Sequence, residues 1–517
     1  MRKTKIVCTI GPACQDRETL KEMMLAGMNV ARLNFSHGTH ASHCETIQIL
    51  KELRAELDLP VAIMLDTKGP EYRVGVFEDG KVELAPGDEF RLYAETQIQG
   101  VQTEGLKAAE TGSAEDAKPL FRAPVRLGNQ DGVPVNYPLL AQELQPGDTI
   151  LLNDGLMEFT VKALEGPDLV CTVVTGGVLS DHKSMSFPGK VFKRDYLSDA
   201  DRSDILFGIQ QDVDLVAASF VSNKEDIQAL RGFMNANGGE NIDIIAKIEN
   251  QSGVDKLEEI ADACEGIMVA RGDMGVELPY VKIPAIQKRM IALCRAKGKP
   301  VITATEMLES MTENIRPTRA EISDVANAVY DGSSAVMLSG ETASGKFPLE
   351  ALRTMAGIAE ETEQNIDYAA GSFRAFGANG FRASGLKAPG SPVSRMSGTS
   401  YDAFSNAACS LAIDSGAALI AVNTLSGATA RMIARCRPPM PVLALTPAAK
   451  ESCKLAVCWG VIPVQTQALT TLEARMTAAA DTARRLGLAA PGSSIVITSG
   501  EAPFRTGGSN TLRVETI

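Results

Sequence analysis

Two short segments carry side chains that together could move a phosphoryl group: Lys247-Ile248-Glu249 and Arg271-Gly272-Asp273. Asn241 to Asn250 reads NIDIIAKIEN, a β-branched run that turns polar at its carboxyl end. Glu265 to Pro279 repeats the design as EGIMVARGDMGVELP. Two such strands would bring Glu249 and Asp273 to one edge of a sheet, with Lys247 and Arg271 nearby. Paired carboxylates suit Mg²⁺, which keeps most of its waters and takes one or two carboxylates plus substrate. Two strand ends closed by ordinary surface salt bridges would use the same residues, so the rest of the chain has to decide.

Eight apolar strands end in polar clusters of this kind: Lys5–Gly11, Asn29–Phe35, Val61–Thr67, Val213–Val221, Ile242–Glu249, Gly266–Asp273, Pro300–Met307 and Ala335–Gly340. Helix-period stretches lie between most of them. Arg17–Met28 places Leu20, Met23 and Met24 on one face with Gly27 as a stop. Ile283–Lys297 turns Ile286, Met290, Leu293 and Cys294 inward and closes at Gly298. Near-continuous apolar strands alternating with amphipathic helices mean a parallel sheet covered by helices. Eight units in roughly 250 residues predict a (β/α)₈ barrel, whose chemistry sits at the carboxyl ends of its strands.

One interruption, about Pro70 to Ser186, is rich in turns and alternating runs, as in VGVFEDGKVELAPGDEFRLY. It predicts a small antiparallel barrel or sandwich, with Gln97–Pro119 as a long loop. A domain inserted in a βα loop hangs over the active face as a lid. After strand eight a helix around Leu349–Gln364 leads to Ala370–Ser400, a Gly- and Ser-rich stretch with no acid, read as a linker. A second α/β unit follows, with strands at Ala418–Asn423, Pro441–Thr446, Gly460–Gln465, Ser494–Ser499 and Leu512–Ile517. The expected fold class is therefore α/β: a TIM barrel of residues 1–69 and 187–350, an all-β lid of 70–186, and a C-terminal α/β domain of 351–517 with a mainly parallel sheet, serving regulation or assembly.

A net charge of −13 argues against a nucleic-acid partner, which demands a basic footprint. The longest apolar runs fall short of the ~20 residues of a membrane span. MRKTKIVCTIGP enters a strand at once and is expected to carry no signal peptide. Ten cysteines without C-x-x-C or zinc spacing read as buried thiols in a reducing compartment. A cytoplasmic location is expected.

The motifs KTKIVCTIGP, ARLNFSHG (Ala31–Gly38), LDTKGPE (Leu65–Glu71), ASF (Ala218–Phe220), KIEN (Lys247–Asn250), GIMVARGDMGVE, ATEMLESM (Ala304–Met311), RPTRAEISDVANAV (Arg316–Val329) and MLSGETA (Met337–Ala343) together resemble the pyruvate kinase family nearly end to end. The resemblance implies phosphoryl transfer from phosphoenolpyruvate to ADP, giving pyruvate and ATP in the last step of glycolysis. It implies Glu249 and Asp273 as ligands of Mg²⁺ (or Mn²⁺), Lys247 as the transition-state cation and Arg32 as a second phosphate contact. Thr305 would stand beside the carbon that is protonated, relaying through water because a hydroxyl is a poor bulk acid. Backbone around Gly272 and Asp273, at a helix start, would hold the substrate carboxylate. Asn34, Ser36, Asp66 and Thr67 would hold K⁺, and Glu71 accompanies K⁺ dependence in the family. Arg32, Asn34, His37, Arg73 and, from the lid, Lys183 would meet the nucleotide phosphates. A homotetramer is the family habit.

Gly340–Lys346, GETASGK, nearly spells a phosphate-binding P-loop, but Phe347 replaces the metal-binding Ser or Thr, so that reading fails. Several positions depart from the family pattern: the lid-return segment HKSMSFPGKVFKRDYLS, Tyr72 for an aliphatic residue, and Glu306 for a glutamine, expected to face outward. In the C-terminal domain, Thr424, Ser426, Gly427 and Thr429 begin a helix, and Arg505 sits in a loop that could close over it. This stretch is the candidate site for a sugar-phosphate or nucleotide effector, with plain helix capping by Ser426 as the alternative. A catalytically weakened paralogue that binds metabolites would share the sequence except for an altered lid. A phosphoenolpyruvate-using aldolase or lyase would need neither Lys183 nor Glu71.

Overall fold

The computed structural model describes residues 1–94, 126–137, 139–190, 195–368, 400–500 and 509–517. The loop expected at Gln97–Pro119, the stretch 370–399, Lys193-Arg194 and Arg505 lie outside the described residues.

Eight parallel strands close into a barrel: Lys5–Ile10, Val30–Asn34, Ala62–Asp66, Leu215–Ala218, Asp243–Ile248, Gly266–Ala270, Val301–Ala304 and Ala335–Leu338. All eight expected strands are present, each shorter than its apolar run. The sixth stops at Ala270, so Asp273 sits on the helix Arg271–Glu277 rather than on a strand end. The fourth stops at Ala218 because Phe220 adopts φ +56. Burial on both faces explains the unbroken apolar sequences.

Local capping sets the helices between them. Thr39 with Ser42, Ser198 with Asp201, Asn223 with Asp226 and Thr318 with Glu321 form capping boxes. Gly298, at φ +69, ends the helix Ile283–Lys297 as its sequence predicts. The first helix stops at Leu25, before the expected Met28, with Gly27 left-handed at φ +107. Helix Pro348–Gln364 crosses the boundary placed at residue 350: Ala351, Leu352 and Met355 pack into the barrel's outer core.

The inserted lid is a seven-stranded sheet in the order Tyr72–Arg73, Ser184–Ser186, Thr149–Leu152, Met157–Glu165, Asp168–Thr175, Glu89–Ala94, Gly132–Val135, with a separate hairpin-like pair Lys81–Leu84 and Gly177–Ser180. Its own core centres on Phe90, Leu92, Phe159 and Leu169. The unexpected Tyr72 belongs to it, packing edge-on against Tyr137 and Phe187, each 5.1 Å away. The C-terminal sheet runs Val461–Gln465, Val442–Thr446, Ile420–Asn423, Ser494–Gly500, Ser509–Thr516, parallel except for the last strand. Among the described residues no helix is long and apolar enough to cross a membrane.

Strand parity decides what fills the barrel. Val7, Val30, Met64, Ala217 and Ile245 face inward, while Ile6, Ala31, Ile63, Val216 and Ile244 pack outward beneath the helices. Counting on by twos from the inward set reaches Thr9, Arg32, Asp66, Ser219 and Lys247, then Glu249. The apolar filling therefore gives way to polar side chains at the carboxyl end, where barrel chemistry belongs. At the opposite end Leu455, Ala456 and Val457 of the C-terminal domain continue the interior cluster and close the barrel floor.

Candidate active site

Lys247 is the hub of the polar layer. Its Nζ lies 3.1 Å from Asp66 Oδ1, 2.7 Å from Ser219 Oγ and 3.0 Å from Glu249 Oε1. Arg32 Nε donates to the other Asp66 oxygen at 2.6 Å, and its Nη1 donates to Thr9 Oγ1 at 2.9 Å. Burial works against the Lys247 ammonium, yet Asp66 and Glu249 outweigh it and hold its pKa above the usual lysine range. Burial likewise works to raise Asp66, and Arg32 with Lys247 hold it below the ordinary carboxylate range. Lys247 and Asp66 are therefore both charged across the neutral range, fixed at the mouth of the barrel.

Glu249 differs. Burial raises its pKa, and Lys247 only partly offsets that. Its Oε2 accepts the Phe220 N–H at 2.6 Å. Its Oε1 is buried and accepts no hydrogen bond, although Lys247 stands at ion-pair distance. A buried carboxylate oxygen without a hydrogen-bond donor fits a metal ligand. Asp273, exposed at the start of its helix, is near enough for its charge to act on both Lys247 and Glu249. Among the described residues no three His, Cys, Asp or Glu side chains converge. An ion held by Glu249 and Asp273 would be completed by water and substrate, the coordination Mg²⁺ prefers.

Thr305 follows the seventh strand in a left-handed conformation, φ +66, a genuine outlier for a β-branched residue. Arg271 holds it there: Nη2 donates to Thr305 O at 2.5 Å and Glu306 O at 3.1 Å, Nε to Ala304 O at 3.2 Å, and Nη1 pairs with Asp324 at 2.7 Å. Arg271 thus braces a loop instead of facing substrate. The Thr305 hydroxyl donates to Ala304 O at 2.6 Å and accepts the Gly272 N–H at 2.8 Å. That N–H, expected to hold a carboxylate, is engaged by Thr305 in this arrangement. Glu306 is exposed, as its sequence position predicts.

Asn34 and Asp66 are register partners on adjacent strands, which brings Asn34, Ser36, Asp66 and Thr67 to one edge. Asn34 Oδ1 accepts the Ser36 N–H at 3.1 Å, and Thr67 Oγ1 accepts the Ser219 N–H at 3.2 Å. An amide oxygen, two hydroxyls and one carboxylate form a donor set that fits a weakly hydrated monovalent cation. His37 is exposed, with its carbonyl accepting from His43 Nε2 at 2.8 Å. Arg73, on the first lid strand, pairs with Glu71 at 2.7 Å. Ser184 is its strand partner, so Lys183 lies beside it. Between lid and barrel lies a cavity of about 290 Å³ lined by Glu71, Arg73, Phe220, Asn250 and Asp273 among others, but not by Lys183.

Gly427, φ +70, precedes the helix Ala428–Ala434, and Ser426 provides no side-chain cap. Thr429 Oγ1 meets Ser509 Oγ at 2.9 Å, so the start of the last strand lies against this stretch. In the near P-loop the polar side chains serve internal contacts: Thr342 Oγ1 donates to Thr9 O at 2.8 Å, and Lys346 pairs with Glu313 on the surface. Sequence reasoning missed Ser219, the Phe220 N–H and the Arg271–Asp324 brace. Inward parity after Leu215 and Ala217 was the available signal for Ser219.

The barrel and lid, residues 1–112 and 122–352, match the family described as pyruvate kinase, barrel domain. Residues 402–515 match pyruvate kinase, alpha/beta domain. A pyruvate kinase of Clostridium acetobutylicum is 40% identical over the full length of both chains. One of Geobacillus stearothermophilus is 40% identical over all of this chain and 80% of its own. The crystal structure of a pyruvate kinase from Cryptosporidium parvum superposes with a TM-score of 0.85 at 36% identity, covering 100% of this chain and 96% of that one.

Proposed function

The chain belongs to the pyruvate kinase family, and from that premise we propose that its barrel mouth transfers the phosphoryl group of phosphoenolpyruvate to ADP, releasing pyruvate and ATP. One observation supports this most: a buried, permanently charged Lys247 held by Asp66, Ser219 and Glu249 beside a carboxylate oxygen that accepts no hydrogen bond.

A loose phosphoryl transition state needs cations fixed around the moving group and little covalent help. Lys247 meets the equatorial oxygens as the bond from phosphorus to the enol oxygen breaks. Arg32 holds the same group from the second strand, and Asp66 keeps both cations oriented without reorganisation. The bond to the terminal oxygen of ADP forms in its place, with Arg73, His37, Asn34 and Lys183 placing the nucleotide under the lid. The enolate left behind takes one proton at carbon, delivered by water ordered at the Thr305 hydroxyl. Glu249 and Asp273 would hold Mg²⁺ (or Mn²⁺), which when bound would supply positive charge to neutralise the anionic substrate. Asn34, Ser36, Asp66 and Thr67 would hold K⁺. The ten cysteines are all free, which supports a cytoplasmic setting, and a homotetramer follows the family habit.

The test is pyruvate release from phosphoenolpyruvate with ADP, Mg²⁺ and K⁺, for the wild type and Lys247→Met. Loss of one preorganised cation should lower kcat by about 10²–10³ while substrate still binds. Equal turnover in the variant, or none in the wild type, rejects the reading. Replacing K⁺ by Na⁺ or Tris should also abolish most activity; undiminished turnover would remove the monovalent site.

A further inference from the structure

Beneath the barrel, where the C-terminal domain docks, a second small cavity is lined by five basic residues and by no acid: Arg295, Lys299, Arg431, Arg435 and Arg437, with Trp459 at its side. Most of these charges have carboxylate or carbonyl partners elsewhere. Arg431 pairs with Asp243 and Glu451, Arg435 with Asp402 and the Ala296 carbonyl, and Lys299 donates to the Asp262 and Cys264 carbonyls. Arg437 does not fit that pattern. It retains only 8% of its surface, its Nη2 donates to Gly332 O, and its Nε and Nη1 have no hydrogen-bond partner among the described residues. Its guanidinium carbon lies 4.4 Å from the centre of the Trp459 ring, a cation–π contact that cushions the charge but leaves the Nε–H and Nη1–H groups open.

A buried guanidinium with open donors is costly to keep unless an acceptor joins it. The neighbourhood argues against a protein carboxylate. Glu363 is the carboxylate whose charge reaches Arg437, but its two oxygens already accept the Lys3 and Thr4 N–H groups, and the sequence 370–399 contains no Asp or Glu. The cavity measures about 20 Å³, enough for one small particle.

We propose that this cavity is a binding site for a single small inorganic anion, held by the open Nε–H and Nη1–H groups of Arg437 in the field of Arg295 and Arg435. Gly332, Arg295 and Lys299 come from the barrel, whereas Arg435, Arg437 and Trp459 come from the C-terminal domain. The anion therefore clips the two domains together, independently of the catalytic reading above. Burial, with Arg295 close by, lowers the Arg437 pKa, and a bound anion would reverse that pressure.

Trp459 is the chain's single tryptophan, so the full-length protein carries its own reporter. Chloride and, separately, inorganic phosphate are titrated into protein kept at constant ionic strength with gluconate while Trp459 fluorescence is read. A saturable change that weakens about tenfold or more in Arg437→Met, with far-UV circular dichroism unchanged, is the expected result, because charge-assisted hydrogen bonds are lost. Saturation by chloride alone marks a monatomic site, and saturation by phosphate an oxyanion site; either supports the proposal. A response that never saturates, or one identical in the variant, overturns it. Should Arg437→Met fail to fold, wild-type protein decides by itself: saturation at constant ionic strength supports the site and its absence rejects it.

Discussion

Ser219 shows how much one uncharged side chain can organise. Its hydroxyl accepts from Lys247 at 2.7 Å and donates to Thr67 O at 2.7 Å, joining the proposed transition-state cation to the candidate K⁺ edge. Ser219→Ala should lower kcat about 10- to 100-fold through misplacement of Lys247, with little change in KM for phosphoenolpyruvate; steady-state kinetics showing KM moving instead would contradict this. Glu277 is a second informative residue. Burial raises its pKa to about 7, partly offset by the Phe187 N–H of the lid-return segment. A carboxyl with a raised native pKa binds more protons folded than unfolded, so stability falls as pH rises from about 4.5 to about 7 and is level above that. Glu277→Gln should remove this slope, making the variant the more stable protein at pH 8 and near equal at pH 5. Urea unfolding at both values checks it.

Elements place these residues by parity and by strain. The third strand enters the lid through Thr67-Lys68-Gly69-Pro70, where Gly69 has φ +70 and donates its N–H to Asp201 at 2.9 Å. A Cβ there would stand 2.8 Å from Ser219 Cβ. Gly69→Ala should therefore cost about 1–2 kcal/mol in stability from the left-handed backbone alone. It should also depress kcat, because the clash pushes on Ser219. Thermal unfolding with kinetics on the same sample tests both; a variant as active and stable as the wild type would mean the hinge relaxes freely. Phe220 and Thr305 are two further left-handed residues at strand ends, both at the site. Arg271 ties the carbonyls of Ala304, Thr305 and Glu306 together while Asp324 anchors its other nitrogen, which is how such strain persists.

Across the whole molecule the fifth strand links floor and mouth. Asp243 begins it and pairs with Arg431 at 3.2 Å and Lys454 at 2.9 Å of the C-terminal domain, while Lys247 and Glu249 close it at the other end. Glu451 holds the same two cations at 2.9 Å each, and its Oε1 would lie 2.3 Å from a Cβ on Gly427. The candidate effector stretch is thus built onto the ionic contact that docks the domain. Asp243→Asn should destabilise the fold by about 2–3 kcal/mol, somewhat less than a fully buried pair because Glu451 remains. An unchanged urea midpoint would show the interface holds by apolar packing alone.

The alternation of apolar strands and amphipathic helices specified the barrel and the turn-rich interruption specified the lid, because periodicity is local. Polar strand ends pointed to Lys247, Glu249 and Asp273, whereas Thr305 and the role expected of each came only with the resemblance to the pyruvate kinase family. Three features were not legible: where each strand stops, since Phe220 and Asp273 leave their runs by backbone conformation; the brace from Arg271, since its partner Asp324 is over fifty residues away; and the two open donors of Arg437, since whether a charge is satisfied depends on what folding brings around it. Sequence order determines which face a side chain takes, and only the packed tertiary structure decides which partners await it there.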